Sequence, residues 1–371
     1  MNILVTGAQG FIGKNLVHAL KNTGFDNIFE YDVDTGAGSL NNWCMDCGFV
    51  FHLAGVNRPD NDKEYEDVNT GFTAQLLEFL KANNNNCPIM LASSTHALLD
   101  NPYGKSKKNA EELIAKHSRI TGARALIYRF PNVFGKWCRP NYNSAVATFC
   151  NNTANGLPIK VNDPSTSIEL LYIDDLTDEM QRALNGNENR DGDHCSAPIS
   201  YKKQLGEIAA IIQGFSKCRA ELSVPNLSDP LIRKLYSTYI SYLPVDSLAY
   251  PLNIHSDHRG FFAEVLRTPD RGQLSVNLSK PRVTKGNHWH VSKHEKFLVV
   301  GGEGIIKLRR IDSGKMYELC VNGKTPEVVD IPPGYAHSII NTGETDMITL
   351  MWANEPYDPD RPDTYRTEVE S

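Results

Sequence analysis

The sequence predicts an α/β domain with a doubly wound parallel sheet, followed by a second domain built only from β-strands. Up to about residue 180, short apolar runs alternate with stretches of helical periodicity, which is typical of βαβ units. From about residue 245, strand-like runs are separated by Gly, Pro, Asn and Asp turns, which favours a β-sandwich or barrel. We therefore expect two domains, at residues 1–244 and 245–371.

The first half shows its strands and helices in regular alternation. Residues 11–22 carry apolar side chains at 11, 12, 16, 17 and 20, as expected for one buried face of a helix. Further helices are predicted near residues 65–82 and 104–119. The predicted strands are the apolar runs at 3–6, 28–31, 49–53, 89–92 and 125–128.

In the second half only weak helical periods remain. A polar, partly helical stretch precedes it and is expected to complete the first domain, with the boundary inside residues 242–251. The predicted strands of this half are 261–267, 273–278, 295–300, 304–310, 316–321, 326–331, 337–341 and 346–352.

Composition excludes several classes of partner. The net charge of −6 argues against nucleic acid or an anionic membrane as the main partner. No apolar run reaches the roughly 18 residues that a membrane helix needs, so we expect no membrane insertion. Met1 and Asn2 lead directly into the first strand, which leaves no room for a signal peptide and predicts a cytoplasmic protein.

A glycine-rich turn joins the first strand to the first helix. Glycines at this place allow a tight turn, let backbone N–H groups approach a pyrophosphate and let the helix pack on the strand. Asp32 closes the second strand and can accept hydrogen bonds from an adenosine ribose, while its charge would repel a 2′-phosphate and so favours NADH. The other residues of the turn expected to contact a dinucleotide are Gly7, Gln9, Gly10, Phe11, Ile12 and Gly13.

Tyr103 and Lys107 form a candidate reactive pair. Four residues apart on a helix, they share one face. A nearby ammonium stabilises a phenolate, so we expect the pKa of Tyr103 to be lowered toward the working pH. Ser94, just after the strand at 89–92, can hold a substrate carbonyl oxygen, and Thr95 is the alternative for that role.

These residues resemble the extended short-chain dehydrogenase/reductases, whose nucleotide-binding domain is of the Rossmann type. Further matches are Asn69 and the segments 52–55, 129–135 and 172–175, and the resemblance covers roughly residues 1–240. It implies a nucleotide-sugar substrate, with Tyr103 as proton donor, Lys107 as its partner and Ser94 as the residue that orients the substrate. The additional residues that it places against the cofactor are Leu53, Ala54, Tyr103 and Lys107.

A candidate metal site lies in the second half. His288 and His290 are two residues apart, so on a strand both point to the same face. Glu295 begins the next strand, and His337 follows a turn that contains proline and glycine. Three imidazoles and a carboxylate suit Zn²⁺, although Fe, Mn or Ni fit the same donors. This spacing resembles the two motifs of the cupins, which are β-barrels of the jelly-roll type.

Residues 257–264 and 277–280 resemble the cupin deoxysugar 3,5-epimerases. In that family such a segment grips a nucleotide-linked 4-keto sugar, and a base removes the proton next to the ketone. The residue that acts as this base is left open, with Tyr335 and His258 as candidates.

Taken together, the two halves resemble the bifunctional capsular polysaccharide synthesis enzymes of the CapF type. Four further segments, 57–59, 134–138, 235–239 and 284–290, support this resemblance. It implies a homodimer that takes UDP-2-acetamido-2,6-dideoxy-L-arabino-4-hexulose, a UDP-linked 4-keto-6-deoxy amino sugar of the UDP-N-acetyl-L-fucosamine pathway to capsular or O-antigen polysaccharide. The cupin would epimerise C3, and the reductase would then reduce C4 to the L-talo sugar. The usual reductant of this family is NADPH, whereas Asp32 keeps NADH open.

Two other functions are consistent with parts of the sequence. A non-catalytic dinucleotide sensor with a metal-stabilised β-domain would be favoured by a missing Tyr or Lys, and Tyr103 and Lys107 are both present. Alternatively, the reductase is joined to a cupin that is a dioxygenase, an isomerase of a free sugar or a purely structural assembly module. Metal identity and an oxygen requirement would separate these functions from the epimerase.

Overall fold

The computed structural model describes residues 1–59, 61–268 and 270–370. The chain forms two compact units. The first comprises Met1–Gln213 and Ser228–Pro244, and the second comprises Gly214–Leu227 and the chain from Val245 onward. The predicted domain division after residue 244 stays a prediction.

The α-helices lie in the first unit, except for the end of the helix that begins at Leu205, and they alternate with the strands along the chain. None of the helices in the described residues combines the length and the apolar character that crossing a membrane requires. A π-helix, Tyr65–Gly71, runs directly into one α-helix, and a short 3-10 helix, Thr95–Leu98, precedes another. The α-helices are α1 (Phe11–Asn22), α2 (Ala37–Asp46), α3 (Phe72–Ala82), α4 (Pro102–Thr121), α5 (Ala145–Ala154), α6 (Ile173–Leu184), α7 (Leu205–Ala220, whose last residues belong to the second unit) and α8 (Pro230–Ile240).

The main sheet of the first unit has the order β2-β1-β3-β4-β5-β9-β8. From β2 to β9 neighbouring strands pair in parallel, and β1 and β3 are completely buried because helices cover both faces. A smaller sheet has the order β10-β7-β6. The strands are β1 (Ile3–Thr6), β2 (Ile28–Tyr31), β3 (Phe49–His52), β4 (Ile89–Ser94), β5 (Ala125–Phe130), β6 (Asn132–Phe134), β7 (Ser167–Tyr172), β8 (Arg190–Asp191), β9 (His194–Cys195) and β10 (Tyr201–Gln204).

The second unit from residue 254 is antiparallel, with sheets of order β11-β12-β13-β20-β15-β18 and β17-β16-β19-β14-β21. Its core includes Phe297, Ile306, Ile339 and Met347. The predicted fold class, a Rossmann-type α/β sheet followed by an all-β unit consistent with a cupin, is therefore confirmed. The strands are β11 (Ile254–Asp257), β12 (Gly260–Thr268), β13 (Gly272–Ser279), β14 (Thr284–Trp289), β15 (Glu295–Gly301), β16 (Glu303–Arg310), β17 (Met316–Asn322), β18 (Val328–Ile331), β19 (Tyr335–Asn341), β20 (Met347–Ala353) and β21 (Tyr365–Arg366).

Candidate dinucleotide site and metal centre

The glycine-rich turn follows β1, the strand that lies between β2 and β3 in the sheet. Gly7 has a φ of 70°, and a Cβ there would lie 2.7 Å from the backbone nitrogen of Ala54. A Cβ on Gly13 would lie 2.1 Å from the carbonyl oxygen of Gly7. Gly10 is the N-cap of α1 and offers no side-chain cap. The three glycines therefore allow the turn to pack closely before the N-terminus of α1, an arrangement that suits a pyrophosphate.

Asp32 follows β2 and is tied to this turn. One carboxylate oxygen accepts a hydrogen bond from the backbone nitrogen of Gln9 at 2.7 Å, and the other accepts from that of Val33 at 2.9 Å. The end of β3 is held in a similar way, because Leu53 and Ala54 donate from their backbone nitrogens to the main chain and side chain of Thr6. The carboxyl edge of the parallel sheet thus collects the residues predicted to contact a dinucleotide.

The reactive residues lie at the same edge of the sheet. Ser94 ends β4, and Tyr103 and Lys107 lie on the first turns of α4. The Ser94 side chain lies close enough to Tyr103 to act on its pKa. Lys107 is buried and donates from Nζ to the carbonyl oxygen of Ala92 at 3.1 Å. Only a glycine fits at position 104, because a Cβ there would lie 2.3 Å from the carbonyl oxygen of Leu99.

The expected lowering of the Tyr103 pKa is wrong for this structure. Burial raises the pKa of Tyr103, and the nearby Ser94 side chain only partly opposes that effect. Burial also lowers the pKa of Lys107 to about 8, because removal from water disfavours the ammonium. One N–H group of Lys107 is used in the hydrogen bond to the Ala92 carbonyl. Removal of the Tyr103 phenol from water therefore has a larger effect on its pKa than any stabilisation of the phenolate.

Asn69 is a further polar residue at this site. It lies in the π-helix, accepts from the backbone nitrogen of Val56 at 2.9 Å and donates to the hydroxyl of Ser106 at 3.0 Å. A Cβ on Gly55 would lie 2.7 Å from Asn69 Oδ1 and 2.9 Å from Lys107 Nζ. Asn69 therefore links the π-helix, the end of β3 and α4 around the reactive lysine. In the sequence, Asn69 was indicated only by its match to the family, and no role was predicted for it.

A cavity of about 250 Å³ lies at the end of β5 and is lined in part by Thr95, Arg129, Glu169 and His194. Glu111 holds Arg129 in place with two hydrogen bonds of 2.9 and 2.6 Å. Thr95, the alternative to Ser94, lines this cavity, while Ser94 is the residue that lies near Tyr103. The charged and hydroxyl-bearing side chains share the wall of this cavity with apolar ones such as Phe130 and Leu171.

In the second unit, His288, His290, Glu295 and His337 form one cluster, and their ligand atoms all lie within 4.8 Å of one another. His288 is on β14 and pairs directly with His337 on β19, while His290 follows the end of β14 and Glu295 begins β15. Gly334 fixes the turn before β19 by donating from its backbone nitrogen to the carbonyl oxygen of His290 at 2.8 Å. Strands β14 and β19, the residue that follows β14 and the first residue of β15 therefore bring the four side chains together.

The cluster fits a divalent ion. Glu295 Oε2 lies 3.4 Å from His290 Nε2 and 3.2 Å from His337 Nε2. Ligands about 2.1 Å from a tetrahedral ion are roughly 3.4 Å apart, so these separations suit one. The three atoms are also buried without a hydrogen-bond partner in the protein, which is costly unless something else satisfies them.

Charge at the cluster agrees with that fit. Burial alone would raise the pKa of Glu295, but its contacts with His290 and His337 outweigh burial and hold that pKa well below the usual range. Burial lowers the pKa of His288 to about 4, with His337 adding to the effect. A carboxylate and a neutral imidazole are the forms that bind metals. Burial would lower the pKa of His290, but Glu295 and the Asp363 carbonyl raise it, so this imidazole must give up a proton when an ion binds.

The comparisons with known proteins agree on both units. The NAD dependent epimerase/dehydratase family matches residues 3–196, and the polysaccharide biosynthesis C-terminal domain matches residues 255–365. The UDP-2-acetamido-2,6-beta-L-arabino-hexul-4-ose reductase of Pseudomonas aeruginosa is 42% identical over 100% of this chain and 99% of its own length. The crystal structure of the capsular polysaccharide assembling protein CapF from Staphylococcus aureus superimposes with a TM-score of 0.94, at 46% identity and with 100% of both chains covered.

The chain is a CapF-type member of the NAD dependent epimerase/dehydratase family. A shorter relative is similar to part of this chain. The spore coat polysaccharide biosynthesis protein SpsL of Bacillus subtilis is 33% identical over 122 residues, which are 30% of this chain and 81% of that protein. The predicted resemblance to proteins of the CapF type is confirmed.

In this CapF-type chain the two candidates for the cupin base lie in different places. Tyr335 is on β19, two residues before His337, and Arg310 lies over its ring at 6.0 Å from the centroid. His258 is exposed in the turn between β11 and β12. The roles of all predicted site residues stay predictions, and the structure supplies the geometry in which they would act.

Proposed function

We propose that this chain is a bifunctional nucleotide-sugar enzyme. Its metal-bearing unit would epimerise C3 of UDP-2-acetamido-2,6-dideoxy-L-arabino-4-hexulose, and its dinucleotide unit would reduce the C4 ketone to give UDP-2-acetamido-2,6-dideoxy-L-talose. The observation that carries this proposal is the presence, in one chain, of the Ser94–Tyr103–Lys107 group beside a glycine cradle and of a buried cluster of three histidines and a glutamate. The name of the Pseudomonas aeruginosa relative supports the sugar.

The reduction needs a proton at the C4 oxygen as hydride arrives at C4. A bound nicotinamide cofactor supplies the hydride. Ser94 acts on the pKa of Tyr103, so the two hydroxyls are near each other and both can contact the same substrate oxygen. Tyr103 would donate the proton and Ser94 would hold the oxygen. Lys107, with a pKa of about 8, is still mostly cationic at neutral pH and would stabilise the phenolate that remains.

Epimerisation needs removal of the C3 proton, which is acidic because the neighbouring C4 is a ketone. A divalent ion held by His288, His290, Glu295 and His337 would supply Lewis acidity worth several kcal/mol to the charge that develops on oxygen. Of the two candidate bases, we favour Tyr335 over His258. Tyr335 lies on the same strand as the ligand His337, whereas His258 lies in an exposed hairpin turn.

The finer assignments belong to the same proposal. Zinc is the ion that we propose, because three histidines and one carboxylate are a donor set that it commonly takes. NADPH is the reductant that the family resemblance favours, and the position of Asp32 favours NADH instead. We also propose a homodimer, which light scattering of the purified protein would test.

The test is to incubate the full-length protein with the UDP-linked 4-keto sugar and either NADPH or NADH, and to identify the product by NMR. We expect a sugar that is inverted at C3 and reduced at C4. A reduced sugar with unchanged C3 would refute the epimerase, and an inverted ketone that is never reduced would refute the reductase. Oxygen consumption coupled to turnover would instead indicate a dioxygenase.

A further inference from the structure

The last described residues of the chain return to the metal cluster. Strand β21 pairs antiparallel with β14, with Arg366 opposite His288 and Tyr365 opposite Trp289. The rings of Trp289 and Tyr365 are 5.2 Å apart between centroids. Because β14 carries one metal ligand and leads into another, this tail borders the cluster on a side that no other strand of the described residues covers.

Just before β21, the carboxylate of Asp363 binds the loop that joins β14 to β15. It accepts from the backbone nitrogens of Val291, Ser292 and Lys293 at 2.9, 3.0 and 2.9 Å, and from the Ser292 hydroxyl at 3.0 Å. That loop is the connection between the ligands His290 and Glu295. One side chain therefore satisfies three successive N–H groups and fixes the path between two ligands.

The main chain of Asp363 contacts a ligand directly. Its carbonyl oxygen accepts a hydrogen bond from His290 Nδ1. A neutral imidazole that donates from Nδ1 carries its lone pair on Nε2, which is the atom that lies 3.4 Å from Glu295 Oε2. Asp363 also has a φ of 37°, in the left-handed region that non-glycine residues rarely adopt. The strained backbone conformation therefore occurs at the residue that makes all of these contacts.

We propose that Asp363 is a positioning residue for the metal centre. Its carbonyl fixes the orientation and tautomer of His290, and its carboxylate holds the loop that places His290 relative to Glu295. This inference rests on the metal site of the proposed function but concerns residues outside the ligand set. Partners of this kind outside the ligand set typically change metal affinity by about 10–100-fold when they are removed.

The test measures zinc affinity by competition with a chromophoric chelator on full-length, metal-stripped protein, without substrate. Asp363→Gly keeps the carbonyl and tolerates the positive φ, so it removes only the carboxylate, and we expect the Kd for zinc to rise about 10–100-fold. Asp363→Asn keeps one acceptor oxygen and should raise the Kd less. The matched control is Glu370→Gln, since Glu370 anchors the same tail to Lys307 and does not contact the ligand loop.

Two further measurements separate positioning from general stabilisation. The thermal midpoint of the metal-stripped variants reports on the fold, and an imidazole ¹⁵N spectrum of the zinc-bound wild type should show the proton of His290 on Nδ1. A wild-type zinc Kd in folded Asp363→Gly, or an equal loss in Glu370→Gln, would overturn the proposal. If only Asp363→Asn folds, an unchanged Kd in that variant has the same meaning. A wild-type protein that binds no zinc would instead refute the metal site itself.

Discussion

The carboxylate of Asp32 accepts a hydrogen bond from the backbone nitrogen of Gln9 across 2.7 Å, which fixes an acidic side chain against the glycine-rich turn. Each carboxylate oxygen has a second lone pair, so Asp32 can still accept from ribose hydroxyls. The same negative charge would repel a 2′-phosphate at that place. The hydrogen bond therefore makes cofactor choice a testable property of one residue.

We expect Asp32→Ala to weaken NADH binding about tenfold or more, because a hydrogen bond to a charged group contributes roughly 1.5–3 kcal/mol. NADPH binding should improve or stay the same, so the difference between the affinities for NADH and NADPH should become smaller. Fluorescence titration with each cofactor measures this, with Asp34→Ala as the control, since Asp34 is a nearby exposed acid. A clear NADPH preference in the unmodified protein would contradict the interpretation of Asp32.

Tyr103→Phe should reduce the rate of cofactor oxidation by about 10²–10⁴-fold, because the C4 oxygen loses its proton donor. Cofactor affinity should change much less, because the variant keeps the aromatic ring that the resemblance places against the cofactor. Stopped-flow oxidation and titration of the same sample separate the two effects. Tyr65→Phe is the control, because Tyr65 lies 5.6 Å from Tyr103 between ring centroids but donates its hydroxyl to the carbonyl oxygen of Asn57. Equal rates in Tyr103→Phe and the wild type would remove Tyr103 from the mechanism.

For some elements of the first unit, the sequence predicted the first and last residues correctly. Strands β1 and β2 and helix α1 have the predicted bounds, because their apolar runs end at glycine or polar residues. Strand β4 runs two residues further than predicted, through Ser93 to Ser94, since sheet pairing continues into polar residues. The same extension carries Ser94 to the site.

The elements that could not be predicted depend on tertiary contacts. Strand β14 contains Lys285, Gly286 and Asn287 and shows no apolar alternation, and it is a strand because it pairs with β19, with an irregularity between Gly286 and His288. Asn287 there has a φ of 57°. Asp363 gave no signal either, because its partners lie 70–73 residues away in the chain.

Lys107 predicts a pH dependence of stability. Its pKa is lowered by burial to about 8, whereas an unfolded lysine has a pKa of about 10.4. The cost of burying the charge is fully present below about pH 8 and is lost as the pH rises to about 10.4. Relative to Lys107→Met, the wild type should therefore gain up to about 3 kcal/mol of unfolding free energy between these values.

Urea unfolding of both proteins from pH 7 to 10.5 measures that difference. The control is Lys105→Met, whose lysine is exposed beside Asp100 and should give a nearly flat difference. A flat difference for Lys107→Met would mean that the Lys107 ammonium is well solvated.

The full-length protein should bind one divalent ion per chain. His290→Ala/His337→Ala should lose it, because two of four ligands are removed and Glu295 is left buried without its partners. Elemental analysis after dialysis measures the stoichiometry. His294→Ala should retain the ion, since His294 is exposed and packs on Trp352 instead. Full retention in the double variant would refute the ligand set.

The order of the two reactions follows from the chemistry of the substrate. The C3 proton is acidic only while C4 is a ketone, because the enediolate formed by its loss delocalises onto that oxygen. Reduction at C4 closes this route, so in the proposed function epimerisation comes first although the dinucleotide unit is first in the chain. In D₂O without cofactor, the wild type should therefore introduce deuterium at C3 of the 4-keto sugar, and NMR would detect it.

Tyr103→Phe should still exchange the C3 proton at the wild-type rate, because Tyr103 belongs to the reductase group alone. His290→Ala/His337→Ala should lose the exchange, yet it should still reduce a 4-keto sugar supplied already inverted at C3, since its reductase residues lie in the first unit. These opposite losses separate the two activities within full-length proteins. Exchange that persists in the double variant and disappears in Tyr103→Phe would reverse the proposed division of labour.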